Sequence, residues 1–109
     1  MDASAIRELV KGELERDAPF INSHGITRTN IHLHLVDPYS IRIDPDDLET
    51  TPREVWVVLR ERPSSDDGYV AVYDPLFSRW GVAERSPQPD ATSILVVSAG
   101  SLSEALEAM

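Results

Sequence analysis

The chain has 109 residues, 41% of them hydrophobic, the size and apolar content of one domain folding on its own core. Its net charge of −9 argues against nucleic acid or an anionic membrane as partner, because the ten basic residues are scattered from Arg7 to Arg85. With no cysteine, the chain has no disulfide, thiolate nucleophile, iron–sulfur cluster or cysteine-ligated zinc.

The first residues, Met1-Asp2-Ala3-Ser4-Ala5-Ile6-Arg7-Glu8, lack the basic and apolar regions of a secretory signal. No apolar run approaches the roughly 20 residues of a membrane span. The expectation is a soluble cytoplasmic protein. Of the ten basic residues only Lys11 is a lysine; codon bias in a GC-rich bacterial genome is the expected reason, with guanidinium forks for carboxylate pairing as the alternative.

Ile6, Leu9, Val10 and Leu14 recur at helical spacing, which predicts an amphipathic helix over 4–16 with Ser4 as its cap. Pro19 closes it, and Phe20 and Ile21 are expected to return to the core. Asn22-Ser23-His24-Gly25 reads as a turn. Residues 26–36 carry two signals. Ile31, Leu33 and Leu35 alternate as in a strand, while Thr27 as cap with an Ile26–Ile31 staple favours a short helix. The helix is the preferred reading.

Tyr39, Ile41 and Ile43 alternate with polar residues, which predicts a strand over 39–44 and a loop over 45–52. The segment 54–62 is the strongest strand: Val55, Val57 and Leu59 line one face and Trp56, Val58 and Arg60 the other. Apolar groups on both sides place it inside a sheet. A loop over 63–68 joins it to a strand over 69–74 in a β-hairpin. Asp74-Pro75 turns into a short strand over 80–84, a Pro-broken connection follows over 86–90, and Ile94–Val97 reads as a buried strand. Ser101 and Glu104 form a Ser-x-x-Glu capping box for a last helix, with Leu102, Ala105, Leu106 and Met109 on its apolar side. The expected architecture is a single α+β domain over 1–109. It is a mostly antiparallel sheet of four or five strands with the N-terminal and C-terminal helices on one face.

Candidate chemistry is sparse. His32 and His34 would share a face on a strand and could begin a metal site with His24 or Asp37, but on a helix they diverge by about 200°. The preferred helix therefore argues against a metal. Asp44, Asp46, Asp47 and Glu49 are acidic enough for calcium, but Leu48 occupies a ligand position and no glycine follows. There is no Gly-x-Ser-x-Gly elbow and no phosphate-cradling glycine loop. No cofactor is expected. Trp56, Tyr69, Tyr73 and Trp80 remain. If the helices leave their face uncovered, they form an aromatic patch flanked by Arg60, Arg62 and Arg79, the composition of an interface centre.

The run Val55-Trp56-Val57-Val58-Leu59, then Gly68-Tyr69-Val70-Ala71-Val72-Tyr73-Asp74, Trp80-Gly81-Val82-Ala83 and the helix Leu102 to Met109 resembles small uncharacterised bacterial proteins, some of them immunity-protein-like. The resemblance covers the C-terminal half and implies a β-meander and a protein partner, with no catalytic residue to carry over. The expected function is a non-enzymatic interaction module, a homodimer or immunity-like partner binder, using the aromatic face and the acidic loop Asp44 to Glu49. The alternative is a small metal- or ligand-dependent enzyme using His24, His32, His34 and Asp37.

Overall fold

The computed structural model describes residues 2–16, 19–43, 53–64, 68–84 and 94–109. The loop expected over 45–52, the candidate calcium ligands Asp44 to Glu49 and the connection expected over 86–90 lie outside the described residues, as do positions 65–67 of the hairpin loop.

Helix α1 spans Ala3–Glu15. Its cap is Asp2, whose extended backbone lets Oδ1 accept the Ala5 N–H at 3.0 Å. Ser4, the expected cap, sits in the first turn. A carboxylate does this work better than a hydroxyl, since its charge also complements the helix dipole. Ile6 and Val10 are the buried positions of the apolar stripe. Phe20 packs against the core, but Ile21 is 85% exposed, because neighbouring residues of an extended segment point to opposite sides.

The segment before the sheet keeps both of its sequence signals. The Asn30 N–H donates to Thr27 Oγ1 and the Thr27 N–H to Asn30 Oδ1, while Ile26 and Ile31 are both buried. The helix so begun lasts one turn and tightens into a 3-10 turn over Ile31–Leu33. It stops because His34 is already paired with the next strand: the Arg60 N–H donates to the His34 carbonyl at 3.0 Å.

Five strands follow, β1 (Leu35–Ile43), β2 (Arg53–Arg60), β3 (Tyr69–Asp74), β4 (Arg79–Glu84) and β5 (Ile94–Ala99), then helix α2 (Leu102–Ala108). They form one sheet in sequence order with every neighbour antiparallel. β1 starts four residues earlier than the alternation predicts and runs through Pro38. A strand tolerates proline at a sheet edge or a bulge, and here both hold: β1 is an edge strand and its register shifts between Leu35 and Tyr39.

Two further bulges decide which residues meet. In β2 the register passes from Val57 opposite Val72 to Leu59 opposite Ala71, leaving Val58 as the extra residue. Leu59 therefore leaves the face of Val55 and Val57 and joins Val58 under the helices. In β5 the register passes from Val97 opposite Val82 to Leu95 opposite Ala83, so Val96 is the extra residue. Beside it Gly81 is obligatory, since a Cβ there would stand 2.6 Å from the Val97 carbonyl oxygen.

Both faces of the sheet are apolar. One carries the helices, with Ile6 and Val10 of α1 and Leu102, Ala105 and Leu106 of α2 packed on Val58, Ala71, Tyr73, Trp80 and Val82. The other carries a second cluster of Ile43, Val55, Val57, Val70, Val72 and Ala83. β5, expected to be buried, is the other edge, and Val96 is 52% exposed. α2 has the expected cap, with Ser101 Oγ accepting the Glu104 N–H at 3.2 Å. Glu104 Oε2 reaches one residue past Ser101 to accept the Gly100 N–H at 3.0 Å.

Candidate functional site

Trp56, Tyr73 and Trp80 form a row across three strands, because Trp56 stands opposite Tyr73 and Tyr73 opposite Trp80. The condition for a solvent-facing patch, a face free of helices, is not met. Tyr73 and Trp80 are each 6% exposed and belong to the cluster beneath α1 and α2. Their rings meet edge-on, centroids 4.9 Å apart. Tyr69 lies at the other end of β3, where its ring is 5.6 Å from that of His24. The arginines divide in the same way. Arg60 is opposite Val70 at one end of β3 and Arg79 opposite Asp74 at the other, about 13 Å along the strand. Arg62 lies beside Gly68, with Arg60, while Arg79 Nε donates to Ser98 Oγ at 3.0 Å. The seven residues thus fall into two groups.

Around Tyr73 and Trp80 the structure forms a groove of about 340 Å³ between α1 and the turn joining β3 to β4. The two aromatic residues line it with Glu8, Glu13, Arg16 and Ser78. Gly12 also lines it, and a Cβ added there would meet no atom within 4 Å, so the helix is notched over the groove. Ser78 holds the left-handed conformation, φ 53°, that closes the turn. Asp74 Oδ1 prepares that turn by accepting the Leu76 N–H at 3.0 Å.

Glu13 is the residue the sequence did not single out. Its side chain is only 9% exposed. Oε1 accepts the Leu102 N–H at 2.8 Å, so α1 caps the start of α2, and Oε2 pairs with Arg16 at 3.1 Å. Its other side borders a second cavity of about 240 Å³, whose apolar walls include Phe20, Ile31 and Leu106. On the helical wheel Glu13 looks like any residue off the apolar stripe; only the docking of α2 reveals its role.

Three of the four residues of the enzyme alternative are held by separate partners. His24 Nδ1 is 2.8 Å from Glu61 Oε1, and the Tyr69 N–H donates to Glu61 Oε2 at 3.0 Å. His34 Nδ1 donates to the Arg60 carbonyl at 3.0 Å. His32 is exposed in the 3-10 turn, and Asp37 pairs with Arg7 at 3.3 Å. Among the described residues no three histidines or carboxylates are grouped to hold a metal. The His24–Glu61 pair acts instead as a tie between the 22–26 turn and the end of the β2–β3 hairpin.

Fold and groove together define a small α+β meander domain with two helices on one face and an aromatic-floored cleft beside the first. Comparison with protein-family models, with curated proteins and with solved structures finds no match. Among the described residues no helix is long and apolar enough to cross a membrane.

Proposed function

We propose that this chain is a non-enzymatic interaction module that pairs with a second copy of itself along β5. The observation that carries the reading is the contrast between the two sheet edges. An edge strand presents unpaired N–H and C=O groups, and proteins blunt it with charge, proline or a bulge. β1 has all three, in Asp37, Pro38, Arg42 and the register shift. β5, Ile94-Leu95-Val96-Val97-Ser98-Ala99, has a bulge alone and is the one strand without a charged residue. Among the described residues no backbone hydrogen bond reaches it from outside the sheet. Two identical strands pair antiparallel about a twofold axis, which closes the assembly at a dimer. The blunted β1 edge then limits growth into fibres. The cytoplasm suits a chain without cysteine, and a net charge of −9 argues against a nucleic-acid partner.

Sedimentation of the full chain across a micromolar to submillimolar range tests this. The expected result is a monomer–dimer equilibrium that Val96→Lys moves to monomer with unchanged circular dichroism and Tm. A monomer at every concentration, or a dimer indifferent to Val96→Lys, would count against the reading. A monomer that takes up a strand from a different protein at β5 would keep the edge and replace the partner.

A further inference from the structure

The groove beside α1 is lined by no residue of β5 and touches the end of that strand only through Gly100. Tyr73 and Trp80 are 94% withdrawn from solvent yet line it. Among the described residues no hydrogen bond to the Tyr73 hydroxyl or the Trp80 indole N–H is present; the directed contact of each ring is with the other. Above this floor stand two carboxylates and one guanidinium, Glu8, Glu13 and Arg16, so the lining carries one net negative charge. Glu13 is occupied by Leu102 and Arg16. Glu8 is exposed and has no ion pair among the described residues. An uncompensated carboxylate beside the ring surface left open in the groove is complementary to a monovalent organic cation, whose apolar stem packs against that surface while its charge meets Glu8.

Gly12 supplies a separate observation. Glycine is the poorest helix former apart from proline, and here no neighbour demands it, since a Cβ would enter open space. That space is the mouth of the groove. The helix gives up propensity at a position that borders the groove, between Glu8 and Arg16.

We infer that this groove binds the basic side chain, arginine or lysine, of a partner polypeptide. The acidic chain steers such a partner toward itself, and Arg16, paired with Glu13 at the rim, is the internal cation that the incoming one displaces. Arginine is the better fit, because its flat guanidinium enters a narrow groove and forks onto a carboxylate.

The test is a titration of the uniformly labelled full chain, followed by the two indole N–H signals, with Trp56 as the internal control for Trp80. The probes are N-acetyl-arginine amide, N-acetyl-lysine amide, the uncharged N-acetyl-norleucine amide, and an end-blocked five-residue peptide whose one charge is a central arginine. The expected result is saturable movement of the Trp80 signal with the charged amides, none with norleucine amide, and at least tenfold tighter binding of the peptide. Gly12→Leu should abolish the response without lowering Tm, Glu8→Gln should weaken it severalfold, and Arg16→Gln should strengthen it. Equal response to norleucine amide, shifts spread over the acidic surface without Trp80, or binding that survives Gly12→Leu would each overturn the inference. Free amides binding as tightly as the peptide would overturn the polypeptide as ligand. Repeating the titration on Val96→Lys separates this result from the fate of the dimer.

Discussion

Glu13 joins the two helices by a single carboxylate, and its energetic weight follows from its burial. Replacing it with alanine leaves the Leu102 N–H without its acceptor in a place where water has little access. Leaving a buried donor unmade costs about 1–3 kcal/mol, whereas the exposed Arg16 partner contributes within about 1 kcal/mol. The expected outcome is a clear drop in the urea midpoint for Glu13→Ala and a change near the noise for Arg16→Ala. Glu13→Gln, which keeps an acceptor oxygen, should recover part of the loss. Equal effects of Glu13→Ala and Arg16→Ala would mean that the ion pair and not the cap is what matters.

Among the elements, α2 depends most on its surroundings. Seven residues are too few for an isolated helix, so it is held by its cap and by the burial of Leu102, Ala105 and Leu106. Its last turn is tied down by Asn22. Nδ2 donates to the Leu106 carbonyl at 2.6 Å, while Oδ1 accepts the N–H groups of His24 and Ile26. One side chain thus shapes the 22–26 turn and closes the end of α2. Asn22→Ala should cost about 1–3 kcal/mol by the same argument of unmade bonds. Hydrogen exchange should locate the effect, with faster exchange at His24 and Ile26 than the global loss explains. Uniform acceleration across β3 and β4 would show that the turn has no separate stability.

The signal for that turn was legible as Asn-Ser-His-Gly, and so was the Ser101–Glu104 box, because both are local devices whose partners lie within a few residues. The 27–36 segment was not legible to the same degree. Thr27 accepts the Asn30 N–H and Ile26 and Ile31 are buried, but the helix read for this segment is only a 3-10 turn over Ile31–Leu33 whose cap position is Asn30. The start of β1 at Leu35 belonged to the pairing of His34 with Arg60, a contact across 26 residues of chain.

For the whole molecule, charge and sheet edge act against each other. Each copy carries −9, so bringing two together at β5 opposes like charges, while the strand that makes the contact is itself uncharged. Screening weakens the repulsion and leaves the edge pairing intact. Dimerisation should therefore strengthen as salt rises from about 0.02 M to about 0.5 M, as read by sedimentation. Binding of the arginine peptide in the groove should weaken over the same range. A dimer that dissociates as salt rises would point to an interface built on opposite charges instead of β5.

The sequence by itself determined the two terminal helices, most of the strands and the antiparallel α+β class, because periodicity, caps and turn residues act over short distances. It also showed that β2 is apolar on both sides, as an interior strand with a cluster on each face must be. Only the tertiary structure decided which aromatic face the helices cover, and so why Tyr73 and Trp80 floor a groove while Tyr69 keeps company with His24. It also decided that Leu59 changes sides. The physical reason is that a bulge shifts every following side chain to the opposite face, and helix docking depends on shape across the whole sheet, neither of which period-two alternation records.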